Sequence, residues 1–503
     1  MNRRDFLKLA GAAAPALVLP GVMSKLNLTQ KLDQGSQPNV IIILFDAMSA
    51  RNLSLYGYAR PTSPNLERFA ERATVYHSHY AGGNYTIPGV ATLLTGTYPW
   101  TSRALNYSGV INRRLVDDNI FRVFGSDYHR VAFPQSMWSS FIVTQFQRDL
   151  DWILPSGSFG EVDYLLNDLF VKDQNIAARV LDDFVFNPNE APASLVLGSL
   201  QKASYARDVM QIDAAGYPRG LPHNVNYPLQ FRLERLLEGV GSLLQSLESP
   251  FITYLHLFPP HAPYRATEKF YGKFVDAFRP VRKPQHRFSD RIANSILNTA
   301  RRSYDEYIAS LDWEFGRLMD AMKSVGIFEN SYVVITSDHG EMFERGEKAH
   351  STSLLYDPVV HVPLLISAPG QLAREDIYSP TSAVDVLPTL TQLAGKTIPD
   401  WCEGSLLPGL GGEADEERSA FVVEAKRNSA FAPLSRATVA MRKGNHKLIH
   451  YTGYEADDSF ELYDLGEDIE ELDDLYPAQP SFTSQLKEEL LESLFEANKP
   501  YIK

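Results

Sequence analysis

The sequence predicts an α/β fold, a doubly wound, mostly parallel sheet with helices on both faces, followed by a smaller C-terminal α+β domain. Continuous apolar runs end in polar residues at four places, an amphipathic helix separates two of them, and shorter alternating runs follow a glycine-rich linker near the C-terminus. The 503 residues, 44% hydrophobic and 22% charged, suffice for one large domain and one small domain.

The four apolar runs have the length and composition of strands that are buried on both faces of a parallel sheet. They cover residues 40–45, 251–257, 332–335 and 362–366. Asp46 ends the first run, and Asp338 and His339 follow the third. Because ligands of open α/β sheets bind beyond the carboxyl ends of the strands, these side chains are candidate site residues. Each alone is more typical of a helix cap or a turn, but their joint placement favours a site.

A helix is predicted between the second and third runs, because apolar side chains recur there at helical spacing. Those side chains are Tyr304, Ile308, Leu311, Phe315, Leu318 and Met322. The alternation of strand and helix favours the doubly wound sheet. Residues 103–249 are less regular, with helical pieces at 165–185 and 229–247, and we expect them to form a substrate-side elaboration.

Three parts are expected along the chain. Residues 1–35 form a signal segment and linker, 36–412 the large α/β domain, and 413–503 the small α+β domain. Glycines and prolines at 404–412 mark the boundary. Short strands are predicted beyond it at 420–423, 438–441 and 447–451, before a final helix at 481–494.

The first residues resemble a twin-arginine export signal. Arg3 and Arg4 are followed by Phe6-Leu7-Lys8 and by a mildly apolar stretch of 15 residues at 9–23, too short for a comfortable membrane span. An accidental basic start is the alternative. We expect a periplasmic, cell-surface or secreted protein, with an uncleaved N-terminal membrane anchor as the other outcome.

Charge and cysteine usage limit the partners and the kinds of site that are possible. The net charge is −13 and no basic cluster lies beyond the N-terminus, which argues against nucleic acid as a partner. Cys402 is the single cysteine, so an internal disulfide and a multi-cysteine metal site are excluded, and a structural thiol is expected. The oligomeric state has no signal in the sequence.

The segment 84–96 places one hydroxyl where a nucleophile would be expected. Pro88 suits the first position of a helix, so Thr86 is expected beside the helix N-terminus, whose free N–H groups favour a tetrahedral anion. The alternative is that Thr86 only caps the helix. With Asp46, Asp338 and His339, Thr86 completes a donor set that suits Zn²⁺ or Mn²⁺ best, with Ca²⁺ or Mg²⁺ as alternatives.

Many ordered blocks of this chain resemble the sulfatase family of the alkaline phosphatase superfamily. They lie at 56–58, 61–66, 93–99, 260–264, 337–341, 355–357, 384–389, 447–449 and 461–465, and so span nearly the whole chain beyond the signal. The resemblance implies an alkaline phosphatase/sulfatase-like fold and a metal-dependent enzyme. Its substrate would be an anionic ester, on a glycan or a lipid in some relatives.

The departures from the family bear on the substrate. Sulfatases carry Cys or Ser where Thr86 stands and oxidise it to formylglycine, an aldehyde that threonine cannot form. Val90 replaces the family's Arg, and Ala47 replaces its second adjacent Asp. Superfamily members with a threonine nucleophile act on phosphoesters. The resemblance therefore implies that Asp46, Asp338 and His339 bind the metal and that Thr86 contacts it and attacks phosphorus.

A second group of residues is expected around this centre. In relatives, histidines and a lysine at the places of His261, His350 and Lys348 grip the anion or protonate the leaving group. His256 is a further candidate. A structural role is expected for five other histidines, which are His77, His79, His361, His446 and His450.

The sequence therefore predicts an exported, metal-dependent hydrolase or transferase that acts on a phosphomonoester or phosphodiester through Thr86. Two alternatives remain. The first is a sulfuric ester hydrolase that works without formylglycine, and the second is a non-catalytic protein that uses the fold to bind an anionic glycan or lipid.

Overall fold

The structure is a computed structural model that describes residues 37–107, 109–161, 214–224, 229–478 and 481–502. Gln37–Lys503 forms one compact unit. The predicted signal segment and the helical piece at 165–185 lie outside the described residues. Among the helices that the structure describes, none combines the length and the apolar character needed to cross a bilayer.

The described strands are numbered in chain order. They are β1 Asn39–Phe45, β2 Thr74–Tyr76, β3 His79–Tyr80, β4 His129–Pro134, β5 Trp152–Ile153, β6 Phe251–Leu257, β7 Ser331–Thr336, β8 Met342–Glu344, β9 Glu347–Ala349, β10 Leu364–Ser367, β11 Glu375–Ile377, β12 Thr381–Ser382, β13 Ser419–Glu424, β14 Ala437–Lys443, β15 His446–Thr452 and β16 Ser459–Asp464.

The described α-helices are numbered in the same way. They are α1 Pro64–Ala70, α2 Thr86–Thr95, α3 Pro99–Ser102, α4 Ile120–Phe124, α5 Met137–Gln145, α6 Leu233–Ser246, α7 Asn294–Ser324, α8 Asp357–Val360, α9 Val386–Leu393 and α10 Thr483–Asn498. Short 3₁₀ helices cover Ala50–Asn52, Ser54–Tyr56, Arg113–Leu115, Ile327–Glu329, Ala383–Asp385, Tyr476–Ala478 and Lys499–Tyr501.

Eight strands form the central sheet, in the order β11-β2-β10-β7-β1-β6-β4-β5. Every neighbouring pair is parallel except the two that β10 makes, with β7 and with β2. The mostly parallel sheet is therefore confirmed, and all four predicted apolar runs lie in it. β10 begins at Leu364, two residues after the predicted start.

Helices cover both faces of this sheet, because alternate residues of β1 belong to two different apolar cores. Ile41, Ile43 and Phe45 lie in the core that α1, α6 and α7 complete. Val40, Ile42 and Leu44 lie in the opposite core, together with apolar side chains of α2, α4 and α9. Burying each such side chain contributes about 1.5–3 kcal/mol, so the period-2 alternation of one strand stabilises both layers.

The irregular region predicted at 103–249 holds more structure than expected. β4 lies inside it as a strand of the central sheet between β6 and β5, and α5 follows it. Its apolar stretch is short, since polar residues open the strand at His129 and Arg130 and Pro134 closes it. Tertiary pairing with β6 forms this strand, and such pairing has no local sequence signal.

The C-terminal part is a four-stranded antiparallel sheet in chain order, from β13 to β16. Leu486, Leu490 and Leu494 of α10 pack on one face of it. The three predicted strands and the final helix are confirmed, while β16 is an additional strand. The boundary between residues 412 and 413 stays a prediction.

Candidate active site

The carboxyl ends of β1 and β7 bring the predicted ligands together. These strands are parallel neighbours with Leu44 opposite Thr336, so Asp46 and Asp338 follow them at the same edge of the sheet. His339 comes directly after Asp338. All three side chains are buried. The three side chains thus lie at the strand ends, as the sequence predicted.

The turn after β1 is held by a side chain from α7. Ala47 adopts a left-handed backbone with φ of 62°, which is unusual for a residue with a Cβ. The Tyr304 hydroxyl donates to the Ala47 carbonyl oxygen at 2.6 Å and accepts from the Ser49 N–H at 2.9 Å. The long helix therefore stabilises the strained turn that carries Asp46.

Three lone-pair atoms converge in this cluster. His339 Nε2 lies 3.4 Å from Asp46 Oδ1 and 3.6 Å from Asp338 Oδ2. His339 Nδ1 donates to the Gly340 carbonyl oxygen at 2.9 Å, so Nε2 carries the lone pair when the ring is neutral. The two carboxylate oxygens are buried and have no hydrogen-bond partner among the described residues. Such a set fits a divalent cation, which the three residues are close enough to share.

The second oxygen of each carboxylate is already occupied. His256 Nε2 donates to Asp46 Oδ2 at 3.0 Å, and the Tyr254 hydroxyl donates to His256 Nδ1 at 2.9 Å. Asp338 Oδ1 accepts from the backbone N–H groups of Ala47 and His339, at 3.3 and 3.1 Å. His256 therefore lies behind Asp46 as an orienting residue, in the manner of groups that support metal ligands.

Without a bound cation, the carboxylates of Asp46 and Asp338 repel each other when both are ionised. Burial and repulsion from Asp46 raise the pKa of Asp338. Burial opposes ionisation of Asp46 as well, but the imidazoles of His261, His256 and His339 around it hold its pKa well below the usual range. Two buried carboxylates in one site cannot both ionise freely, and a bound cation removes that penalty.

Thr86 is the first residue of α2 and not its N-cap. Tyr85 is the cap and makes no side-chain capping bond, and Pro88 is the third helical residue instead of the first. Both predicted positions are therefore shifted, because N–H groups throughout the first turn lack helical partners and tolerate proline. Thr86 Oγ1 lies 3.5 Å from His339 Nε2. The structure thus brings the predicted hydroxyl to the carboxylate and imidazole cluster.

His261 and His350 join the cluster on one side. The ring of His350 lies 4.1 Å from that of His339 and 5.0 Å from that of His261, between centroids. His261 Nδ1 donates to the Ala262 carbonyl oxygen at 2.7 Å. Burial lowers the pKa of both rings. Both rings are therefore neutral at pH 7. Their Nε2 atoms lie outside the hydrogen bonds that Nδ1 makes, to Ala262 in His261 and to Glu341 in His350.

Glu341 supports His350 and was not among the predicted site residues. Its Oε1 accepts from His350 Nδ1 at 2.9 Å and its Oε2 from the Tyr264 hydroxyl at 3.0 Å. Burial raises the pKa of Glu341 to about 7. Its place in the 337–341 block, directly after Asp338-His339-Gly340, was the signal that could have identified it.

Lys348 forms no hydrogen bond or ion pair with the cluster among the described residues. It is exposed on β9, where it lines a cavity with Ala262 and Tyr264. Two other residues reach the His350 loop instead. Asn84 Nδ2 donates to the carbonyl oxygens of His350 and Thr352, at 2.8 and 2.7 Å. Lys426 Nζ donates to the Ser351 carbonyl oxygen at 2.6 Å, and nothing in the sequence pattern had indicated it.

Comparison with known proteins assigns the class. The family described as Sulfatase matches residues 38–396, and the one described as N-sulphoglucosamine sulphohydrolase, C-terminal, matches residues 346–499. The protein is an enzyme of the alkaline phosphatase/sulfatase superfamily, whose members generally depend on a divalent metal. Within that superfamily the chain belongs to the sulfatase family, and the resemblance stated from the sequence is confirmed.

Individual relatives are distant but extend over most of the chain. Choline-sulfatase of Rhizobium meliloti is 24% identical over 469 residues, which cover 87% of this chain and 82% of the relative. N-acetylglucosamine-6-O-sulfatase of Bacteroides thetaiotaomicron is 22% identical over 544 residues, covering 99% and 93%. The crystal structure of phosphonate monoester hydrolase of Agrobacterium radiobacter superposes with a TM-score of 0.65 at 19% identity, covering 92% and 96%, which shows a shared fold.

Proposed function

We propose that this hydrolase of the sulfatase superfamily cleaves a phosphomonoester or phosphodiester through Thr86, as a metal-dependent hydrolase or transferase. One observation carries the proposal. Thr86 Oγ1 lies 3.5 Å from His339 Nε2, at the first residue of a helix and beside two unpartnered carboxylate oxygens. A hydroxyl so placed combines a nucleophile with N–H donors for the oxyanion that forms on phosphorus.

The metal would be held by Asp46, Asp338 and His339, with the Thr86 hydroxyl as fourth donor. When bound, it would act as a Lewis acid on the phosphoryl oxygens and lower the pKa of the hydroxyl. Nitrogen and oxygen donors in this number suit Zn²⁺ or Mn²⁺ better than Ca²⁺, which takes six to eight oxygens.

The chain's own residues supply the remaining chemistry. Thr86 Oγ forms the new bond to phosphorus while the bond from phosphorus to the leaving alcohol breaks. The neutral imidazoles of His261 and His350 are the groups that accept the Thr86 proton and return it to the leaving oxygen. In a second displacement, water or an acceptor alcohol takes the phosphoryl group and frees Thr86, which decides between hydrolysis and transfer.

The second candidate is hydrolysis of a sulfuric ester without formylglycine, and the names of the relatives favour it. Choline-sulfatase and N-acetylglucosamine-6-O-sulfatase act, by name, on sulfated substrates. Against it, threonine forms no formylglycine, and Val90 and Ala47 lie buried where sulfatases carry Arg and Asp. A non-catalytic binding protein is the least favoured, because such a protein would be expected to lose ligands, and all four donors are present.

Turnover of three aryl esters tests the nucleophile. The protein, loaded with Zn²⁺ or Mn²⁺, is assayed with 4-nitrophenyl phosphate, bis(4-nitrophenyl) phosphate and 4-nitrophenyl sulfate. Thr86→Ala is expected to lower kcat for the preferred phosphoester by about 10³-fold or more, while Thr86→Ser keeps part of it. Thr92→Ala, which removes a buried threonine from the same helix, is the control. Sulfate turnover that survives Thr86→Ala would contradict the assignment.

Export is part of this proposal and rests on the arginine pair near the N-terminus. A twin-arginine route suits a protein that folds around its metal before translocation. Arg3→Lys together with Arg4→Lys is expected to leave the protein inside the cell, measured by fractionation. Normal export of that double variant would contradict the route. The substrate is expected to be an anionic ester, on a glycan or a lipid.

A further inference from the structure

A second cavity lies directly beside the candidate active site. Its volume is about 270 Å³, near the lower end of small-molecule sites. One wall is Ser351-Thr352-Ser353, which follows His350 in the chain. The other wall comes from the end of β13 and from the segment that joins β13 to β14, with Lys426 and Arg436 among its residues. The cavity therefore joins the His350 loop to the small antiparallel sheet.

Three cations line this cavity and form no close ion pair among the described residues. Lys426, Arg427 and Arg436 form no ion pair within 4.0 Å in the part of the chain that the structure describes. Lys426 Nζ uses one N–H on the Ser351 carbonyl oxygen, at 2.6 Å, which leaves two N–H groups. Arg436 lies over the ring of Tyr454 at 4.8 Å, and its Nε is buried without a partner among the described residues. Half-buried cations that lack partners are costly unless a ligand pairs with them.

Three carboxylates also line the cavity, and two of them accept hydrogen bonds from neighbouring groups. Glu424 accepts from the Tyr454 hydroxyl at 2.7 Å and from the Lys426 backbone N–H at 3.1 Å. Glu347 accepts from the Asp290 backbone N–H at 3.3 Å, and burial raises its pKa toward the neutral form. Asp290 itself is exposed. Lys426 and Arg436 therefore keep donors that no carboxylate reaches within 4.0 Å among the described residues, while Glu424, Glu347 and Asp290 attract Lys426 only over a longer distance.

We propose that this cavity binds a second oxyanion, carried by the alcohol part of the ester that Thr86 attacks. The ligand class is a phosphate, sulfate or carboxylate that Lys426 and Arg436 pair with while the scissile ester lies at Thr86. The inference rests on the proposed function and deepens it, since the preferred substrates would then be esters with two anionic groups.

Binding of a graded series of ligands tests the cavity separately from the chemistry. Alkanediol bisphosphates from propanediol to octanediol are compared with the alkyl monophosphates of the same length. Calorimetry is done on the metal-loaded Thr86→Ala protein, which is expected not to turn them over. The variants Lys426→Met and Arg436→Met are added to that background. Lys443→Met, which removes a cation of the same sheet that pairs with Glu489, is the matched control.

At the best chain length we expect the bisphosphate to bind about tenfold more tightly than the monophosphate. Lys426→Met and Arg436→Met should each abolish this gain. Arg436→Met should change monophosphate affinity by less than about twofold, because the Arg436 side chain makes no hydrogen bond to the His350 loop among the described residues. Replacing the second phosphate by sulfate or carboxylate identifies which oxyanion is preferred. The control variant should change neither affinity.

Two results would overturn the proposal. One is the absence of any gain at every chain length. The other is an equal loss for monophosphate and bisphosphate in Arg436→Met, which would mean that Arg436 supports the fold and does not pair with a second oxyanion. Failure of the proposed function is seen in a different measurement, because turnover by Thr86→Ala equal to that of the wild type would refute the nucleophile. The preference for the bisphosphate would then be measured as a ratio of KM values instead of by calorimetry.

Discussion

Gly89 of α2 and Asp338 approach so closely that a Cβ on residue 89 would lie 2.2 Å from the Asp338 carbonyl oxygen. Because of this contact, the first turns of α2 pack closely against the end of β7, where Asp338 and His339 lie. Thr86, at the start of the same helix, reaches His339 for that reason. Gly89 thus sets the distance between the Thr86 hydroxyl and the cluster of Asp46, Asp338 and His339.

Gly89→Ala is therefore expected to be harmful. In a helix interior this change normally stabilises by about 0.5–1 kcal/mol, but here the methyl group meets backbone and must displace the helix. We expect lower stability in urea unfolding and a loss of kcat of about tenfold or more. Gly241→Ala is the control, since its Cβ would lie 3.3 Å from the flexible tip of Leu318. A stabilised and fully active Gly89→Ala would refute the role of this contact.

The ligand cluster predicts how the protein responds to chelation. Bound metal should stabilise the wild type by about 2.7–4 kcal/mol at 100 to 1,000 times its Kd, so a chelator should lower Tm. Asp338→Asn should lose most of the metal by mass spectrometry and show no such fall. Without metal, the variant should be at least as stable as the wild type, because repulsion from Asp46 is gone.

Asp376→Asn is the control for that experiment, because Asp376 pairs with Arg374 at the surface. It should bind metal and respond to a chelator as the wild type does. Full metal content in Asp338→Asn would mean that the two carboxylates do not form the site.

Glu341 is expected to act through His350. Glu341→Gln keeps the shape but leaves one acceptor oxygen for two donors, the His350 ring and the Tyr264 hydroxyl, so we expect kcat to fall about tenfold with little change in KM. Tyr264→Phe removes only the outer hydrogen bond and should have a smaller effect.

A double-mutant cycle separates this role from a general loss of structure. In a His350→Ala background, Glu341→Gln should have almost no further effect on kcat, because the two residues act as a unit. Effects that simply multiply would show that Glu341 acts elsewhere.

Acid should destabilise the fold through buried histidines. Burial lowers the pKa of His361 to about 4, against an opposing attraction to Asp357, and burial lowers the pKa of His79 to about 3. Unfolded histidine titrates near 6.5, so the unfolded chain takes up protons first and the free energy of unfolding falls as pH drops from about 6.5 toward 4.

His361→Gln tests this origin of acid sensitivity. The amide can still donate to the His77 carbonyl oxygen, as His361 Nε2 does at 2.9 Å, but it does not titrate. Urea unfolding at several pH values should show a smaller fall in the variant than in the wild type. His446→Gln, at a half-exposed position, is the control. If the free energy of unfolding depends on pH in His361→Gln as it does in the wild type, His361 does not cause the acid sensitivity.

Much of the fold was predictable from local pattern. The runs that became β1, β6 and β7 are buried on both faces and therefore continuously apolar, and α7 showed its apolar stripe over many turns. β4 was missed because its apolar part is brief and its partner β6 is more than a hundred residues away in sequence. Strands that form only through distant pairing leave little local trace.

Within the site, the sequence by itself determined which residue types stand at the strand ends and at the start of α2. Four site residues were identifiable, because each stands at the end or the start of an element whose apolar pattern can be read in the neighbouring sequence. They are Asp46, Thr86, Asp338 and His339. Only the tertiary structure decided which oxygen of each carboxylate stays unpartnered, that Glu341 orients His350, and that Lys426 reaches the adjoining loop. Packing between segments far apart in the chain determines which groups form hydrogen bonds with each other, and no local sequence pattern predicts those partners.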